Sequence, residues 1–180
     1  MKIKIPTLCL FMLALLPGYQ ARSQSPLWEL PVEAREMLNA RFPGWQYAEI
    51  SDEVRDEERQ FGNANARLDL ISGDFNGDDC ADYAALINYG TARLEHDEVV
   101  GPDFALVIFV AKREGYRIHT IKDPGGEFIA LIHKGDKGYD FDLQKEFVFE
   151  HDAIDAIISG KGATSYVYEH GHFRAIITGD

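Results

Sequence analysis

Cysteine is scarce in this chain of 180 residues: there are two, Cys9 and Cys80. Cys9 lies inside an apolar N-terminal stretch that reads as an export signal, so its removal would leave Cys80 alone and exclude a disulfide within the chain. An exported fold without disulfides has to be held by its core, with an ion as further support. Basic residues are also few. Eighteen Lys and Arg stand against thirty Asp and Glu, for a formal net charge of −12. That balance argues against nucleic acid or an anionic membrane surface as a partner and favours a soluble protein or cation binding. No apolar run reaches the roughly 20 residues of a transmembrane helix. A Gly-x-Ser-x-Gly elbow, a P-loop and a zincin signature are all missing, so the common hydrolase and nucleotide chemistries have no signpost here.

What is present begins with the leader. Lys2 and Lys4 precede the apolar core Leu8–Leu16, Pro17-Gly18 break it, and Ala21-Arg22-Ser23 place small residues where a signal peptidase cuts. Residues 1–23 are therefore expected to be a signal peptide, with no membrane insertion after cleavage and a periplasmic or secreted product. The remainder, 24–180, is 157 residues long. Loss of Lys2, Lys4 and Arg22 takes its charge from −12 to −15. That length suits one domain with a sizeable core.

Along 24–180 the pattern is one helix followed by strands. Pro31–Phe42 reads as a helix, with proline in its first turn, early glutamates and Pro43-Gly44 as its stop. Trp45–Ile50 reads as a short strand. Ser51–Asn65, crowded with charge, reads as a solvated loop. Strands are expected over Arg67–Ser72, Tyr83–Asn88, Phe104–Val110, Tyr116–Ile121, Glu127–Ile132 and Lys145–Glu150. Phe104–Val110 is apolar on both faces and should be central. Asp152–Ser159 fits either a helical turn or a strand. Ser165–Glu169 and His172–Thr178 flank His170-Gly171, the signal of a tight hairpin. The fold class expected is α+β: a single domain with an N-terminal helix packed on a mainly antiparallel β-sheet.

The most informative run is Gly73-Asp74-Phe75-Asn76-Gly77-Asp78-Asp79-Cys80-Ala81-Asp82. Asp74, Asn76 and Asp78 alternate, so their side-chain oxygens can meet on a tight turn. The seventh residue, Cys80, would add a backbone carbonyl and the ninth, Asp82, another carboxylate. Four carboxylates in nine residues repel one another unless screened, and a hard cation with six to eight oxygen ligands, such as calcium, answers that need. An EF-hand would need a glutamate at the twelfth position, where this chain has Ala85 in an apolar strand. The plain alternative is an Asp/Asn/Gly turn whose side chains bond its own backbone.

Over about residues 71–86 the run resembles the calcium loop of FG-GAP and VCBS-type repeats, found in integrin α-chain propellers and many exported bacterial proteins. The resemblance implies a loop between two strands, with Asp74, Asn76, Asp78 and Asp82 as side-chain ligands of a structural calcium ion and Cys80 as its carbonyl ligand. Asp79 stands where the family usually has glycine, which asks an aspartate to take up the left-handed backbone. The family stacks several copies into a propeller. This chain has one copy, so its fold is not a propeller.

Other candidates read more plainly. The carboxylates around Cys80 would raise its thiol pKa, which suits an inert thiol rather than a nucleophile. His170 and His172 read as turn and strand-start residues, and Asp136, Asp140 and Asp142 as a solvated hairpin. Tyr166, Tyr168 and Phe173 read as core and cross-strand packing. The function expected is a non-enzymatic exported module binding one calcium ion and engaging a protein or cell-envelope component. The alternatives are a small exported hydrolase using an acidic or histidine pair, and an inhibitor of a basic exported enzyme such as a lysozyme.

Overall fold

The computed structural model describes residues 29–60, 67–95 and 98–179. The signal peptide expected at 1–23 lies outside them. Within them the chain forms mostly antiparallel β-sheet with few helices and does not close into a barrel. In chain order the elements are α1 (Val32–Arg41), β1 (Gln46–Tyr47), α2 (Asp52–Gln60), β2 (Leu70–Gly73), β3 (Asp82–Tyr89), β4 (Arg93–Glu95), β5 (Glu98–Val100), β6 (Asp103–Ala111), β7 (Tyr116–Lys122), β8 (Phe128–Ile132), β9 (Lys137–Asp140), β10 (Lys145–Val148), β11 (Ala153–Ile158), β12 (Gly162–Glu169) and β13 (His172–Ile177).

Two larger sheets carry the structure. In the first, β3 pairs with β6 along one edge, and β6 pairs with β7. The other edge of β3 is shared: β2 takes Asp82–Ala85 and β1 takes Ile87 and Asn88. The second sheet runs β13-β12-β11-β8. Register decides which residues face which layer. Ala84 opposes Ile108 and Leu86 opposes Leu106, and all four enter one buried cluster with Ile129, Ile154, Ala156 and Tyr166 of the second sheet. The alternate residues Ala85, Ile87, Ala105, Val107 and Phe109 enter a second cluster with Ala34 and Leu38 of α1. A slip of one residue between β3 and β6 would exchange these two faces. Because β6 is covered on both, it reads as the unbroken apolar run that a central strand requires.

α1 has the bounds that its sequence signals imply. Pro31 occupies the N-cap, Glu33 the first turn and Arg41 the last, and Gly44 beyond the stop has φ +77°. The expectation of a solvated loop over Ser51–Asn65 is corrected. Residues 52–60 are helical, and residues 61–65 lie outside the described segments. The charged run hid a helix that needs only one buried residue, Val54, with Asp52 and Glu53 at its start and Arg59 at its end. Asp152–Ser159 resolves as strand, since Ala153–Ile158 pairs with β8 and β12 on its two sides. The expected hairpin at His170-Gly171 is present, with φ of +50° and +90° at its two turn residues. Asp140 is not solvated. It is buried, and its Oδ1 accepts the amide of Leu143 at 2.9 Å.

Candidate functional site

The acidic run forms the connection of the β2–β3 hairpin, closed by the pairing of Gly73 with Asp82. Its carboxylates are answered largely by backbone. Asp74 Oδ1 accepts the amides of Gly77 at 2.8 Å and Asp78 at 3.0 Å, and its Oδ2 accepts that of Asp79 at 3.0 Å. Asn76 Oδ1 accepts the Asp78 amide at 3.0 Å, while its Nδ2 donates to Asp78 Oδ2 at 3.0 Å. Asp78 Oδ1 accepts the Cys80 amide at 2.9 Å. Gly77 and Asp79 both have the left-handed backbone, with φ of +75° and +60°. Asp79 thus adopts the conformation asked of it where a glycine would be freer.

Two anchors tie this turn to the body of the protein. Phe75 points inward, fully buried, with its ring 6.4 Å from that of Phe173; such burial contributes about 2 kcal/mol. Asp152, 78 residues further along the chain, accepts the Asp74 amide on Oδ2 and the Lys134 amide on Oδ1, both at 3.0 Å. His151 lies against the loop as well. A Cβ on Gly77 would come within 2.3 Å of its ring, so this position needs glycine for room as well as for backbone angle. Local spacing could not reveal Asp152 or His151, because both arrive from the turn between β10 and β11.

Asp82 is placed differently from the other four expected ligands. It is fully buried, its Oδ2 accepts the Phe75 amide at 3.0 Å and its Oδ1 accepts the Ala111 amide at 2.7 Å. Burial pushes its pKa up to about 6; the two amides oppose that rise, and the charges of Asp78 and Asp74 add to it. The structure therefore gathers Asp74, Asn76 and Asp78 into one hydrogen-bonded turn, leaves Cys80 exposed beside it, and turns Asp82 inward. Among the described residues no three His, Cys, Asp or Glu side chains stand in position to hold a metal ion together.

A lone-pair count shows what the turn can still offer. A carboxylate oxygen accepts about two hydrogen bonds. Asp74 Oδ1 takes two amides, whereas Asp74 Oδ2, Asn76 Oδ1 and each oxygen of Asp78 take one hydrogen bond, which by this count leaves each of them capacity for one more. These are hard oxygen donors of the kind calcium takes. No protein-family model, curated protein or solved structure compared with this chain matches it.

The histidines do not assemble. His133 Nδ1 is 3.9 Å from Asp152 Oδ1, an oxygen that already serves a backbone amide. His119 sits between the sheets, its ring edge-on to Tyr168 and Phe173 at 5.9 and 5.3 Å, with a buried Nε2 that lacks a hydrogen-bond partner. Burial lowers its pKa, and the charges of Arg117, His172 and Lys112 lower it further. His170 occupies its turn and His172 opens β13, as expected. Tyr166 and Tyr168 pack inward with Phe173, and the Tyr166 hydroxyl donates to the Pro124 carbonyl at 2.8 Å.

Proposed function

We propose that the protein is an exported, non-enzymatic α+β module in which a single calcium ion clasps the β2–β3 hairpin. Asp74, Asn76 and Asp78 supply side-chain oxygens and Cys80 its carbonyl. Asp82 stays at the base of the loop, fully buried, with its carboxylate on the amides of Phe75 and Ala111. In this reading α1 covers one face of the first sheet and the second sheet covers the other, within one domain. The observation that carries the proposal is the gathering of the Asp74, Asn76 and Asp78 side-chain oxygens on one exposed turn already shaped by its own amides. Its likeness to the FG-GAP and VCBS loop supports the same choice of ion. The ion would screen the clustered carboxylates and stabilise the native state by mass action.

The test is calorimetric titration of calcium into chelator-stripped protein, beside melting curves with and without EGTA. The double change Asp74→Asn, Asp78→Asn keeps an oxygen acceptor at each position and removes the charge. Each asparagine gives up one of the two acceptor oxygens in use, so circular dichroism accompanies the titration, and the variant that stays folded should show neither the heat of binding nor the EGTA effect. A wild-type melt indifferent to EGTA, with no heat of binding, would sink the clasp and leave the self-bonded turn.

A further inference from the structure

The two larger sheets meet along two edges, and those edges are built differently. On one, the main chain itself crosses between them: the Ile129 amide of β8 donates to the Leu68 carbonyl, just before β2, at 2.8 Å. On the other, β7 ends the first sheet and β13 ends the second, and among the described residues no main-chain bond joins them. Side chains alone make that seam. His119 of β7 sets its ring against Phe173 of β13 at 5.3 Å and Tyr168 of β12 at 5.9 Å. Arg117 lies over the β12–β13 turn, its Nη1 3.9 Å from where a Cβ on Gly171 would stand.

This seam is poorly suited to an added proton. In an imidazolium both ring nitrogens are donors, and the Nε2 of His119 is enclosed without a hydrogen-bond partner. The charges that reach the ring are Arg117 on β7, His172 on β13 and Lys112 on the turn before β7; no carboxylate is among them. Glu169, opposite His172 in the β12–β13 pairing, is held by Arg174 through two bonds of 2.9 Å. Burial, and then these like charges, hold the His119 pKa below its ordinary 6.5 while the seam is closed. A ring released into water returns to that ordinary value. Opening therefore takes up a proton, and it grows more favourable as pH falls through about 6.5.

We propose that the β7–β13 seam is an acid-opened joint: in acid His119 leaves its place between the sheets, β13 parts from β7, and Tyr168 and Phe173 become accessible, while the β2–β8 edge holds. What opens is an aromatic surface that neutral conditions keep covered. Phe173 also stands 6.4 Å from Phe75, so the joint and the inner anchor of the acidic turn share one ring. Asp82, at the base of that turn, has its own pKa pushed up to about 6 by burial. The joint is therefore read at Tyr168 and Phe173 rather than at the turn, and it needs no calcium.

The experiment is hydroxyl-radical footprinting of the full mature chain, in chelator, at about pH 7.5 and about pH 5.5, on either side of the ordinary histidine pKa. Tyr168 and Phe173 should lose protection in acid, while Phe109, fully buried in β6, keeps it. His119→Phe keeps a ring in the seam and removes the proton site, so it should stay closed at both pH values. Arg117 is exposed, and Arg117→Gln, which takes away one like charge, should retain part of the protection. Unchanged protection of wild-type Tyr168 and Phe173 overturns the proposal. An equal loss at Phe109 does so too, since that is general unfolding. So does an acid response unaltered by His119→Phe or, should that variant not fold, by Arg117→Gln. Greater protection in acid would mean that the ring faces hold the imidazolium, and it overturns the joint as well. With calcium absent throughout, each of these outcomes is independent of the clasp.

Discussion

The β2–β3 and β9–β10 hairpins present opposite surfaces. At the first, conspicuous polar residues are turned back on the backbone, so that Asp74 alone serves three amides. At the second, an ordinary-looking stretch leaves Tyr139, Phe141, Leu143 and Val148 exposed on and beside strands that, among the described residues, pair only with each other. A hairpin whose polar groups answer its own amides keeps its shape and offers only the acceptor capacity those amides leave, whereas one whose apolar side chains face water has a surface still to be covered. Conspicuous sequence therefore pointed to the better-satisfied of the two.

The largest effect expected from testing this contrast is at Asp82. Asp82→Ala strands the amides of Phe75 and Ala111 in the interior and should cost about 3 kcal/mol in urea unfolding. Relief of its buried charge reduces that loss, and Asp82→Asn, which keeps one acceptor, should cost less. If Asp82→Ala proves neutral, the loop is not held as described. Next comes Gly77→Ala, expected to cost about 2 kcal/mol because φ is +75° and the new Cβ meets His151. Part of that cost should return in the double variant with His151→Ala, so a full additive loss in the double-mutant cycle would deny the contact.

A smaller effect concerns acid. The folded-state pKa of His119 lies below its usual 6.5, so the unfolded chain binds the extra proton first as pH falls. Its contribution is whole above about 6.5 and is lost as pH drops below that value towards the folded-state pKa. Melting temperatures of wild type and His119→Phe, followed from pH 7.5 downward, should diverge, with the variant falling less. Parallel curves would remove His119 from the acid response. The smallest effect belongs to the second hairpin: Leu143→Ser and Val148→Ser should each change stability by no more than about 0.5 kcal/mol. A large loss there would show that these side chains already have a structural task.

Much of the framework was legible because its signals are local. The two-faced apolar run of β6, the glycine-bearing link at His170-Gly171 and the proline-bounded helix α1 each state their own conformation. The left-handed backbone of Asp79 was legible by another route, from the glycine that the loop it resembles usually carries at that position. α2 was not, since Val54 is its one buried residue and periodicity has nothing to register. β9 contains a glycine and two charged residues in four positions, which masks a strand. At the candidate site, the spacing of Asp74, Asn76 and Asp78 announced a turn with oxygen donors. The inward rotation of Asp82 and the arrival of Asp152 depend on how the two sheets stack, and no short window contains that information.

Asp152 gives the acidic hairpin a place in time as well as in space. Its partner amide on Asp74 lies 78 residues earlier, so the loop closes locally but is fastened only when the turn after β10 has been made and brought back. Contacts of such separation form late, after the entropy of the intervening chain has been spent. A nascent chain that ends before residue 152 would therefore carry the complete acidic run without its fastening. The part of this protein that looks most self-sufficient in sequence would be among the last to set.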